Sequence, residues 1–165
     1  MFVLGIDPGL SRCGYGAVDQ RGGVARAKAV GTITTSPSDA LAARLAALDV
    51  GLRQLLGELR PDVVAVERLF FQVNARTAIS VGQASGLVLA AAHHAGCEVV
   101  QYTPNEVKQA VVGYGSASKH QVQRMVQALA GLAEPPRPPD AADALALALC
   151  HLACAALRGR VEAAR

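Results

Sequence analysis

Phe2-Val3-Leu4-Gly5-Ile6-Asp7-Pro8-Gly9 stands at the start of the chain, and its reading decides the fold. Phe2 to Ile6 is a short apolar run, which marks a strand buried on both faces. It delivers one carboxylate, Asp7, to the strand's end. Pro8 and Gly9 then break the strand, because Pro is excluded from a strand interior and Gly permits close backbone approach. An Asp before Pro-Gly is also an ordinary turn residue. A chemical role for Asp7 therefore depends on whether other carboxylates reach the same place.

Outward from this stretch, Cys13 to Gln20 and Val24 to Thr35 carry β-formers around Arg21-Gly22-Gly23, a hairpin signal. The first three strands are expected to form an antiparallel meander. Ser36-Pro37-Ser38-Asp39 reads as a helix start, with Ser36 as N-cap, Pro37 at the first helical position and Asp39 in the first turn. Leu41, Leu45, Leu48, Leu52, Leu55 and Leu59 then line one face of an amphipathic helix, which Pro61 stops. Asp62 to Glu67 is a β-branched run between helices, expected to be a buried parallel strand ending at Glu67.

A second helix is expected from Ala75 to Ala95, with Gly82 and Gly86 on one face as a hint of tight packing or a dimer face. Cys97 to Tyr102 reads as the fifth strand. Thr103 with Glu106, and Ser118 with Gln121, form two capping boxes. They open a short helix ending at Gly113 and a helix from Lys119 to Ala130. The run Pro135-Pro136-Arg137-Pro138-Pro139 is a rigid connector. The last helix begins near Asp140 and continues to about Leu157. The expectation is an α/β fold with a mixed five-stranded sheet and helices on both faces. Residues 1–157 are read as a single domain and 158–165 as a basic, frayed tail.

The 165 residues are 52% hydrophobic and 18% charged, a composition that can build a real core. Val81 to Cys97 comes nearest to a membrane span, but Gln83, Ser85, His93 and His94 interrupt it. The N-terminal apolar run is too short for a signal peptide and has no basic region before it, so the expected location is cytoplasmic. None of the four cysteines forms a Cys-x-x-Cys pair. Cys150 and Cys154 flank His151 one helical turn apart, and read as small apolar residues of a packed helix. The net charge is +3.

Asp7 and Glu67 would share one carboxyl edge if their strands are parallel neighbours, and ligands bind at that edge of α/β sheets. Asp140 and Asp143, three apart at a helix start, share a face. Four acids in one pocket repel strongly unless divalent cations neutralise them. An oxygen-only donor set points to Mg²⁺ or Mn²⁺ rather than zinc. Two such ions can activate water and stabilise a leaving oxygen in phosphodiester cleavage. A basic surface around such a pocket suits nucleic acid. No Walker A lysine, Gly-x-Gly-x-x-Gly or Ser-His-Asp order competes. The Asp-x-Gly start also resembles the first phosphate loop of the actin and sugar-kinase group, whose members need two such domains facing a cleft.

Taken together, Gly5-Ile6-Asp7-Pro8-Gly9, Val66-Glu67 followed by Phe70, Gly82-Gln83-Ala84 with Gly86, Val107 to Gly113, Lys119 to Gln123 and Asp140 to Ala146 resemble the RuvC family of Holliday junction endonucleases. The resemblance covers nearly the whole chain. It implies a ribonuclease-H-like fold and metal-dependent, symmetric nicking of four-way DNA junctions in recombination and repair. The alternative is a junction-binding module without cleavage. By the same resemblance, the metal-holding acids fall on Asp7, Glu67, Asp140 and Asp143, with two Mg²⁺ per subunit. Phe70, Lys108 and Lys119 fall on DNA-contacting positions, Lys119 also in catalysis. The implied partners are a second copy of the chain and the branch-migration proteins RuvA and RuvB.

Overall fold

The computed structural model describes residues 1–69 and 75–163. Three strands come first: β1 (Phe2–Asp7), β2 (Arg12–Arg21) and β3 (Val24–Thr34). They form the expected meander, and Gly22 and Gly23 turn between β2 and β3 with φ of 56° and 82°. The helix α1 (Leu41–Leu59), strand β4 (Val63–Glu67), helix α2 (Ala75–His94) and strand β5 (Glu98–Tyr102) follow. The helices α3 (Pro104–Val112), α4 (Lys119–Leu129) and α5 (Pro139–Ala163) complete the chain. The sheet order is β3-β2-β1-β4-β5, with β1 antiparallel to β2 and parallel to β4, and β4 parallel to β5.

Period-two alternation divides the central strands between two cores. Leu4, Ile6, Val64 and Val66 pack with Leu48, Leu52 and Leu56 of α1 and Ala84 and Val88 of α2. Val3, Val63 and Ala65 face the opposite way, against α3, α4 and α5. Asp7 and Glu67 continue this second set, so both carboxylates emerge on the face that α5 covers.

Three local expectations are corrected. The helix α1 starts at Leu41 behind Ala40, which makes no side-chain cap. Ser36 to Asp39 instead forms a turn, closed by the Asp39 N–H donating to the Ser36 carbonyl at 3.2 Å. Ser at the first position and Pro at the second suit such a turn as well as a helix start. The buried stripe of α1 is Leu48, Leu52 and Leu56, while Leu41 is exposed. The helix α5 runs on to Ala163, six residues past its expected end. Among the described residues it is also the one helix apolar and long enough, over Pro139–Gly159, to cross a membrane by length and composition. Its apolar positions, from Ala141 to Leu152, are spent on the core.

Both capping boxes form as expected. Thr103 Oγ1 accepts from the Glu106 N–H at 3.2 Å and Glu106 returns the bond. Ser118 and Gln121 do the same at the start of α4. Cys150 and His151 are buried in α5, where the His151 ring pairs with the Tyr102 hydroxyl at 3.0 Å.

Candidate metal-dependent active site

How α5 comes to lie on β1 is settled by glycines. Gly5 pairs with Gly16 and Asp7 with Gly14 across the β1–β2 ladder. A Cβ at Gly5 would collide with the Ala144 carbonyl, and one at Gly14 with that of Asp140. A Cβ at Gly16 would come within 2.5 Å of Leu145 Cγ. The bare backbone of both strands is therefore the bed on which the first turns of α5 rest. That contact brings Asp140 and Asp143 over the end of β1.

Glu67 is held from the other side. Val66 pairs with Ile6 of β1, Glu67 pairs with Tyr102 of β5, and the Arg68 N–H donates to the Tyr102 carbonyl at 2.7 Å. The result is a cleft of about 260 Å³ lined by Asp7, Glu67, Asp143, Lys108 and Lys119 over the apolar Val107, Val122 and Leu147. The helices α3 and α4 each supply one of the two lysines.

The electrostatics are those of crowded acids on an apolar floor. Burial, and then the charges of Glu67, Asp143 and Asp140, push the Asp7 carboxyl up to about 7 against the opposing effect of Lys119. Glu67 is raised as well, by burial first and Asp143 second. Lys119 Nζ donates to Asp143 Oδ2 at 2.7 Å. That bond, with the charges of Asp143, Asp7 and Asp140, holds its ammonium above the ordinary lysine value. Asp140 lies on the flank, where Arg12 Nη1 stands 3.8 Å from its Oδ2.

Among the described residues, no three His, Cys, Asp or Glu side chains are already gathered as a metal cage. Lys119 and Arg12 supply counter-charge to Asp143 and Asp140 in their place. The donor chemistry nevertheless fits a hard divalent cation. All four donors are carboxylates, and Asp7 bears a charge cost that a cation would relieve.

Of the residues read from sequence, Asp7, Glu67, Asp143, Lys108 and Lys119 meet in one cleft, with Asp140 beside it. Phe70, and its neighbour Phe71, lie outside the described residues. Arg12 was not anticipated. The hairpin itself was the available signal, because an antiparallel β2 must begin beside the end of β1.

Residues 3–151 match the family model for crossover junction endodeoxyribonuclease RuvC. A protein of that name from Moorella thermoacetica is 53% identical over 97% of this chain and 96% of its own length. The structure of Thermus thermophilus RuvC superposes with a TM-score of 0.87 at 41% identity, covering 95% of this chain and 96% of that one. The same protein in complex with Holliday junction substrate superposes with a TM-score of 0.89 at 42% identity, covering 94% of each chain. With a ribonuclease-H-like sheet, carboxylates converging at its edge, and relatives matched along almost their full length, the chain belongs to the RuvC family of crossover junction endodeoxyribonucleases, which are divalent-metal-dependent nucleases.

Proposed function

We propose that this chain resolves four-way DNA junctions by hydrolysing one phosphodiester in each of two opposed strands, with Asp7, Glu67, Asp140 and Asp143 holding Mg²⁺, two ions per subunit, or Mn²⁺. The observation that carries this reading is the Asp7–Glu67–Asp143 cleft, in which burial and mutual repulsion push Asp7 up to about 7. A divalent cation held there would activate water and stabilise the leaving oxygen. The RuvC–Holliday junction complex from Thermus thermophilus supports the choice of substrate.

The chain's own residues have separable roles. The four carboxylates would hold the divalent cations. Asp7 stands at the end of its strand, where its backbone pairs with Gly14, and Glu67 ends a strand held by its neighbours, while Asp140 and Asp143 arrive on α5. Lys119 stays protonated at neutral pH and presents Nζ beside Asp143, within reach of a phosphate in the cleft. Lys108 lines the same cleft from α3 and neutralises a second phosphate. The apolar floor lowers the local dielectric and strengthens these interactions. Phe70, just past the end of β4, is assigned to stacking on an unpaired base at the crossover, a contact worth about 1–3 kcal/mol.

Two symmetric nicks need two sites, and we assign the active form to a homodimer. The α2 face supports it. A Cβ at Gly82 or Gly86 would meet no described atom within 4 Å, and Ile79 beside them is 69% exposed. RuvA and RuvB are the partners that the family resemblance implies. The test of the site is Asp7→Asn, which is expected to abolish nicking of a synthetic four-way junction in Mg²⁺ while junction binding persists. Nicking at the wild-type rate would refute the assignment.

A further inference from the structure

The turn that follows Asp7 is tied down by side chains that no part of the mechanism above uses. The Thr35 hydroxyl donates to the Leu10 carbonyl at 2.6 Å. The same oxygen accepts from Arg44 Nε at 3.0 Å. Arg44 Nη2 donates to Ser11 Oγ at 2.6 Å, and the Thr35 N–H donates to the Ser11 carbonyl at 3.3 Å. Thr35 is 8% exposed, so its hydroxyl is a buried group whose donor and acceptor are both satisfied. The guanidinium fork thus bridges the end of β3 and the turn between Asp7 and Arg12.

Three features give this bridge its weight. The start of α1 has no side-chain cap, and its first buried residue is Leu48. Arg44, beside the half-buried Leu45, ties the first turns of α1 to the end of β3 by hydrogen bonds. The turn it grips is already tight, since a Cβ at Gly9 would collide with the Arg12 carbonyl. Finally, the gripped segment joins Asp7 to Arg12, the group beside Asp140. Arg44 is not among the charges that move the Asp7 carboxyl, so its influence on the site is mechanical.

We propose that Arg44 is a positioning residue of the nuclease site. Through Thr35 and Ser11 it fixes the turn after Asp7, and with it the reach of the Asp7 carboxylate toward a divalent cation. The proposal rests on the reading of Asp7 as a metal-holding residue. Residues that orient metal-holding groups typically cost about 10–100-fold in affinity or activity when removed.

The test compares Arg44→Met, Arg44→Lys, Ser11→Ala and Asp7→Asn in the full chain without DNA, by calorimetric titration with Mn²⁺. Thermal melting of each is recorded in EDTA. Asp7→Asn is expected to abolish tight Mn²⁺ binding. Arg44→Met is expected to weaken it about tenfold, and Arg44→Lys less, since an ammonium can keep one of the two bonds. Ser11→Ala, at an exposed position that does not endanger folding, is expected to weaken it by a smaller factor and to leave melting unchanged. If Asp7→Asn abolishes binding while Ser11→Ala and Arg44→Lys bind Mn²⁺ as the wild type does, the positioning role is overturned and the reading of Asp7 stands. If Asp7→Asn itself binds normally, both fall. In a separate titration of the same variants with a labelled four-way junction in EDTA, a loss of junction affinity in Arg44→Lys at unchanged Mn²⁺ affinity would make Arg44 a DNA contact and overturn the proposal.

Discussion

Asp7 has the unusual property, for an aspartate, of a folded-state pKa far above its unfolded value, about 7 against 3.8. Between these values the folded chain keeps a proton that the unfolded chain has released. Stability from this group therefore falls as pH rises from about 4 to about 7. A divalent cation favours the charged carboxylate and removes the penalty. Thermal melting in EDTA is accordingly expected to show an Asp7-dependent decline across that window, absent in Asp7→Asn and reduced in Mg²⁺. Identical pH dependence in wild type and Asp7→Asn would contradict this account of the site. Lys119 is the cation that opposes the rise of Asp7. Lys119→Met is expected to move the acid limb of the nicking profile to higher pH. As a donor to developing phosphate charge, its loss should also slow nicking by about 10²–10³-fold. A pH–rate profile at subsaturating Mg²⁺, where protons compete with the cation for Asp7, measures the shift, and one at saturating Mg²⁺ measures the loss of rate.

Elements carry a different set of consequences. The helix α5 reaches the end of β1 only because Gly5, Gly14 and Gly16 give it room. Gly16→Ala is expected to cost about 1–3 kcal/mol in urea unfolding, as overpacking does, and to weaken metal binding by lifting Asp140 and Asp143 from Asp7. An unchanged unfolding midpoint would mean that α5 does not rest on that strand. Ser118→Ala, which removes a formed cap from the helix bearing Lys119, is expected to cost about 1 kcal/mol. The same elements show what could be read in advance. Strand ends at Asp7 and Glu67, the Gly22-Gly23 turn and both capping boxes were legible, because short apolar runs, turn residues and cap chemistry are local. The start of α1 was not, because Ser36-Pro37-Ser38-Asp39 satisfies a turn and a helix start equally. The choice of Leu56 over Leu55 and Leu59 depends on where α1 lies against the sheet. The Arg12–Asp140 and Arg44–Thr35–Ser11 contacts join residues 9 to 128 positions apart, and no short spacing announces them.

On the scale of the whole molecule, the fold gathers Asp7, Glu67, Asp140 and Asp143 at one edge and leaves one face of α2 without a described partner at Gly82 and Gly86. A homodimer joined through that face would give the two sites that paired nicking needs. Light scattering at micromolar concentration is expected to report a dimer, and Ile79→Glu to shift it toward monomer. A wild-type chain that remains monomeric would contradict the arrangement. The central claim is that the carboxylate edge cuts DNA and that junction geometry selects where. Its most direct test is cleavage in Mg²⁺ of a mobile four-way junction beside a linear duplex of matched sequence, with nick positions mapped. The account predicts nicks at symmetric positions in opposed strands of the junction, an uncut duplex, and no nicks with Asp7→Asn. Equal cutting of the duplex, or wild-type nicking by Asp7→Asn, would contradict it.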